Sequence, residues 1–145
     1  QRPTSQTALN VWSESYRQDR KKQLKIIAKE YGMYFFFSKN CPYCQRFAPM
    51  IKRFSQQYNF HVLPFTLDGG GLPDYPNPAY DLRLAKKLNV KSTPAIYLVN
   101  PSKGKVHPIA FSLISLLELE ERIYKLLFTT PKQQIYTVNQ KSGEK

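Results

Sequence analysis

The sequence holds two cysteines, Cys41 and Cys44, separated by Pro42 and Tyr43. Thiols at that spacing suit a dithiol–disulfide couple. One sulfur attacks as its thiolate, and the other, about one helical turn onward, resolves the mixed disulfide. They cannot tie distant parts of the chain together, so they build no structural framework. The pair could instead be half of a zinc site, but a closed site needs two more ligands. Only His61 and His107 could supply them, and they have no paired spacing. No metal is expected. Two buried, inert cysteines are the other plain reading.

The order of elements around the pair favours redox chemistry. Met33–Phe37 is a continuous aromatic run, too short for a helix and suited to a strand buried on both faces. Ser38, Lys39 and Asn40 make a short polar connection. From Pro42 to about Tyr58 the pattern turns helical, with Phe47, Met50, Ile51 and Phe54 on one face. Cys41 thus falls at a helix N-terminus, where unpaired N–H groups and a partial positive charge stabilise a thiolate. Cys44 is drawn into the helix and shielded. Lys39 and Arg46 add positive charge nearby.

The remaining elements must hold that junction in place. A first amphipathic helix is expected over about Trp12 to Glu30, through Leu24, Ile27, Ala28 and Tyr31. Val62–Leu67 reads as a strand, and Pro64 puts it at a sheet edge. Asp68 to Asn77, with Gly69, Gly70 and Gly71, reads as a flexible loop. Asn77-Pro78 has the form of a helix start, for a helix running to about Leu88. Ala95–Val99 is a third strand, and Asn100–Gly104 a turn into a fourth near Val106–Phe111. Ser115 with Glu118 forms a capping-box pattern that opens a helix carrying Leu119, Ile123, Leu126 and Leu127.

The expected architecture is α/β: an extra N-terminal helix, then β-α-β-α-β-β-α, giving a four-stranded mixed sheet with helices on both faces. Three stretches follow: an N-terminal extension over 1–30, a main domain over 31–128 and a polar, basic, mobile tail over 129–145. A chain of 145 residues with 41% hydrophobic content is enough for one real core. No apolar run approaches the ~20 residues of a membrane helix, so no membrane span is expected. The net charge of +12 comes from dispersed basic residues without aromatic interleaving, so no nucleic-acid partner is expected. The chain begins Gln1-Arg2-Pro3 without a signal segment, as a processed or truncated chain does; a precursor signal peptide is presumed removed.

Three features resemble the thioredoxin superfamily: the Cys41-Pro42-Tyr43-Cys44 motif, Pro49 within the following helix, and Thr93-Pro94 before an apolar strand. The resemblance implies a thioredoxin fold and catalysis by Cys41 and Cys44. It implies a cis Thr93–Pro94 bond beside them, with Pro42, Tyr43, Thr93 and Pro94 contacting substrate, whose peptide adds to the Thr93–Pro94 loop as a strand does. A narrower resemblance covers residues 31–38, 62–69 and 92–101, which look like the TraF/TrbB thioredoxin-like proteins of F-type conjugative pilus assembly and type IV secretion. That likeness implies a periplasmic thiol–disulfide oxidoreductase, a reductase or isomerase with no cofactor beyond the Cys41–Cys44 disulfide. Its partners would be disulfide-containing proteins of the transfer machinery and a membrane redox protein. The alternative is a thioredoxin-fold scaffold that binds such partners with dispensable cysteines.

Two departures mark the sequence. Thioredoxin carries a buried acid on the strand before its cysteines, whereas Tyr34–Phe37 is wholly aromatic. Pro-Tyr between the cysteines is the glutaredoxin dipeptide, yet the glycine pair that binds glutathione is missing, which argues against a glutathione enzyme. Gly69-Gly70-Gly71 is no phosphate loop, because no Lys-Ser/Thr follows it. His61 and His107 read as structural or exposed. Trp12 and Tyr16 could dock a partner, although packing on the domain is the commoner outcome.

Overall fold

In a computed structural model, described over residues 6–128 and 136–137, the aromatic run becomes the second strand from the edge of a mixed sheet. The elements are α1 (Gln6–Ile27), β1 (Gly32–Phe37), α2 (Pro42–Tyr58), β2 (Val62–Thr66), α3 (Leu82–Lys87), β3 (Ala95–Asn100), β4 (Lys105–Ala110), α4 (Leu116–Phe128) and β5 (Tyr136–Thr137). The strand order is β2-β1-β3-β4-β5, with β1 and β2 parallel and every other pair antiparallel. The four main strands with helices on both faces are the expected thioredoxin fold.

Side chains alternate along β1, and each face meets a different layer. Met33, Phe35 and Phe37 join Ile96 and Leu98 under α1, α2 and α4, through Leu24, Phe47, Ile51, Phe54, Leu119 and Ile123. Phe36 joins Phe65, Tyr97 and Val99 over α3, through Ala85. Fully burying a side chain of this size stabilises by roughly 1.5–3 kcal/mol. The three phenylalanines of β1 are wholly buried, so the strand that leads to Cys41 is firmly seated in the sheet.

α1 starts earlier than the periodicity indicated, at Gln6, and it packs on the same layer as α2 and α4. A buried polar cluster fixes it there. The Tyr58 hydroxyl donates to Glu120 at 2.7 Å, and the Arg20 guanidinium reaches the same carboxylate at 3.5 Å. Tyr16 packs edge-on against Tyr124 of α4 while remaining partly exposed; the side chain of Trp12 lies outside the described residues.

Asn77-Pro78 does not open α3, in contrast to the expectation. Asp81 caps that helix instead, its Oδ1 accepting the Leu84 N–H at 2.9 Å. The reason lies at the sheet edge. Ala79 runs along β2, where its N–H donates to the Pro64 carbonyl at 2.9 Å and its carbonyl accepts from Thr66 at 2.8 Å. Pro64 shares the outward direction of Thr66, so its missing N–H falls where no sheet partner needs it.

Within the glycine-rich loop, Leu72 and Tyr75 exchange two backbone hydrogen bonds and are buried in the core. That correction to the flexible-loop reading has a steric basis: a Cβ at Gly71 would lie 2.5 Å from the Pro76 carbonyl oxygen. Ser115 caps α4 as expected, accepting the Glu118 N–H at 3.0 Å. Glu118 itself pairs with Arg122 rather than reaching back. Of the stretch read as a tail, Tyr136–Thr137 pairs with Lys105 and Val106 as a short fifth strand; the rest lies outside the described residues.

Candidate active site

β3 runs antiparallel to β1, with Ala95 opposite Phe36, so the start of β3 lies beside the end of β1. This topology brings Thr93 and Pro94, just before β3, to Cys41, just after β1. The Thr93–Pro94 peptide bond is cis. The Cys41 Sγ lies 3.7 Å from the Thr93 carbonyl oxygen, within reach of an S–H donor.

Cys41 is the N-cap of α2, with extended backbone (φ −94°, ψ 110°) and Pro42 following in the first turn. Its sulfur takes the place of the usual capping oxygen, accepting the backbone N–H of Cys44 at 3.2 Å. The Cys41 thiol is partly exposed and Cys44 is fully buried. Both are free thiols.

The two environments push the thiols apart. Burial raises the Cys41 pKa, but hydrogen bonds from the Cys44 thiol, the Cys44 backbone, the Thr93 side chain and the Tyr43 backbone outweigh it. The net result holds Cys41 below the ordinary thiol value. Cys44 is pushed up to about 12, first by burial and then by its hydrogen bond with Cys41. The thiolate is favoured at Cys41 and the proton is held at Cys44.

Tyr43 is 58% exposed beside Cys41, an unusual setting for a large aromatic side chain. It offers an apolar rim next to the accessible sulfur. Ser92 ties the Thr93–Pro94 loop to the end of β4, its hydroxyl donating to the Phe111 carbonyl at 3.2 Å. The six residues expected from the sequence therefore meet at one end of the sheet.

Neither histidine lies beside the cysteines. The His61 carbonyl accepts from Met33, and His107 lies opposite Leu98, both at the far end of β1 from the cysteines. Among the described residues no cluster of three or more His, Cys, Asp or Glu could hold a metal ion. Also among them, no helix is long and apolar enough to cross a membrane.

Sequence reasoning passed over one contributor. The Asp68 carboxylate accepts the backbone N–H groups of Lys39 and Asn40, immediately before Cys41. Lys39 enters the site through its backbone: its carbonyl also accepts from the Gln45 amide at 2.7 Å. The signal that could have found Asp68 is its place directly after an edge strand parallel to β1.

A family model described as TraF, F plasmid transfer operon protein, matches residues 1–124. Protein TraF of Escherichia coli (strain K12) is 35% identical over 100 residues, covering 67% of this chain and 40% of that protein. Protein TrbB of the same organism is 32% identical over 89 residues, covering 59% of this chain and 49% of that protein. The chain thus matches less than half the length of either relative. Among solved structures, MTB dsbF is 22% identical with a TM-score of 0.49, covering 70% of this chain and 84% of that one. The thioredoxin domain of a thiol-disulfide oxidoreductase from Bacteroides vulgatus is 16% identical with a TM-score of 0.49, covering 71% and 83%.

Proposed function

The chain belongs to the TraF family of F plasmid transfer operon proteins, and on that premise we propose that it is a thiol–disulfide oxidoreductase of the reductase or isomerase kind. The observation that carries the proposal is the Cys41 sulfur, accessible and capped by the Cys44 N–H, with the buried Cys44 thiol one turn behind it.

The Cys41 thiolate attacks one sulfur of a substrate disulfide, forming a mixed disulfide while the other substrate sulfur leaves as a thiolate and takes a proton. Cys44 then loses its proton and attacks the Cys41 sulfur, releasing the second substrate thiolate. Two electrons pass to the substrate, and the pair is left as a Cys41–Cys44 disulfide. In isomerisation the freed substrate thiolate attacks another substrate disulfide, the thiolate released there attacks the substrate sulfur held by Cys41, and Cys41 leaves as its thiolate; Cys44 keeps its proton and no net electrons move. The Thr93 and Pro94 backbone and the exposed Tyr43 and Pro42 form the edge on which an extended substrate segment lies.

Repeated reduction needs a dithiol donor to recharge the pair, so a membrane redox protein is the partner we propose. Disulfide substrates persist in oxidising compartments, which supports a periplasmic setting and substrates among the proteins of conjugative transfer and pilus assembly.

Paired substitutions test the mechanism. Cys41→Ser abolishes reduction of insulin disulfides, and Cys44→Ser accumulates a covalent mixed disulfide with substrate. Wild-type rates in Cys41→Ser would overturn the assignment.

A further inference from the structure

The loop that delivers Cys41 to α2 is gripped from outside by one side chain. β2 is parallel to β1, with Thr66 opposite Phe37, so the end of β2 lies beside the end of β1. Asp68 follows two residues later. Its Oδ1 accepts the Lys39 N–H at 3.0 Å and its Oδ2 the Asn40 N–H at 3.3 Å. Oδ1 also takes the Thr66 hydroxyl at 3.1 Å and the Gly70 N–H at 3.1 Å.

Two other contacts complete the hold. Gln45, inside α2, donates to the Lys39 carbonyl at 2.7 Å. Gly70 lies against the Lys39 stem, and a Cβ there would sit 2.6 Å from the Lys39 Cβ and Cδ. Lys39 and Asn40 are thereby fixed from β2's loop and from α2 alike. The next residue is Cys41, whose own N–H donates to the Ser38 carbonyl at 3.2 Å.

We propose that Asp68 is a positioning residue for the Cys41 thiol: by holding the Lys39 and Asn40 amides, it sets Cys41 in the cap position where the Cys44 N–H meets its sulfur. The proposal rests on Cys41 being the attacking group. Asp68 does not touch either sulfur; it acts through the backbone of the preceding two residues.

Charge and position predict opposite signs, which makes the role testable. The Asp68 carboxyl is held down at about 2, chiefly by the Lys39 N–H, so it is negative at any pH used to assay thiols. A negative charge near a thiolate disfavours the thiolate, so deleting charge alone would lower the Cys41 thiol pKa. Deleting the hold frees Cys41 from its cap and raises it.

The experiment is the pH dependence of iodoacetamide alkylation of the reduced protein, in wild type, Asp68→Ala and Gly70→Ala. Both substitutions should raise the Cys41 midpoint and slow alkylation at neutral pH roughly threefold to tenfold, a tenfold change matching about one pKa unit. Gly70→Ala keeps the Asp68 charge while intruding on Lys39, so it carries the test if Asp68→Ala fails to fold. A depressed wild-type midpoint that these substitutions leave unchanged, or lower, overturns the role of Asp68 alone. A wild-type midpoint at the ordinary cysteine value overturns the redox reading beneath it.

Discussion

The Cys41 sulfur accepts the backbone N–H of Cys44 at 3.2 Å, so the resolving residue also stabilises the attacking one. Burial of Cys44, together with the hydrogen bonds on the Cys41 sulfur, splits the pair chemically. With Cys41 below and Cys44 far above the usual thiol range, reduced protein should alkylate at one thiol per chain at neutral pH. The rate should rise with pH through a midpoint below the ordinary cysteine value of ~8.5. Mass spectrometry of the modified peptide checks which sulfur reacts; labelling of Cys44 ahead of Cys41 would reverse the assignment of roles.

The Arg20–Glu120–Tyr58 cluster should be worth far more than the exposed ion pairs of the same helices. Glu120→Ala leaves the Arg20 charge and the Tyr58 hydroxyl buried without their partner. Breaking a buried pair from one side typically costs about 3–5 kcal/mol, and the long 3.5 Å Arg20 contact places this one at the lower end. Glu121→Ala, which removes a pair with Lys125 at the surface, should cost no more than about 1 kcal/mol. Urea unfolding of the two variants compares them directly. Equal losses would mean that α1 is not anchored through Glu120.

What the sequence disclosed follows from how far each signal reaches. The β1 and β3 runs are apolar enough to dictate central strands by themselves, and Pro64 marked its own strand as an edge. The meeting of Cys41 with Thr93 needed only the antiparallel placement of β3 beside β1. The start of α3 was illegible because Asn77-Pro78 and Asp81 offer comparable local capping chemistry. The edge groups of Pro64 and Thr66 decided between them by pairing with Ala79. Asp68 was hidden for a related reason: its hold on the Cys41 loop is through the Lys39 and Asn40 backbone amides, which leave no residue type to read.

The ordered path of the loop between β2 and α3 gives a steric prediction. Gly71→Ala forces its methyl group to 2.5 Å from the Pro76 oxygen and 2.9 Å from its carbonyl carbon, both backbone atoms with little freedom to yield. Displacing them also disturbs the Leu72–Tyr75 turn that fills the core above Phe35. Overpacking of this kind costs about 1–3 kcal/mol. Thermal unfolding should show a lowered Tm, with faster proteolysis between Asp68 and Asn77. An unchanged melting curve would mean that the loop has room the geometry denies it.

His107 should make the fold sensitive to mild acid. It is buried on β4, both ring nitrogens lack a hydrogen-bond partner among the described residues, and the Tyr31 ring packs 5.9 Å away. Burial first, and the Lys105 charge second, hold its pKa below the ordinary 6.5. The unfolded chain therefore binds this proton at a higher pH than the folded one does. Stability from the neutral ring is complete well above 6.5 and is lost as pH falls through that value toward the folded pKa. Each unit of separation corresponds to about 1.4 kcal/mol. Asp68 acts in a different window, since its contribution fades only as pH falls from 3.8 toward about 2. His107→Phe keeps an aromatic ring in the strand and removes the titration, so it should flatten the stability profile between pH 7 and 5. Parallel profiles for wild type and His107→Phe across that range would show that the buried ring does not govern the response.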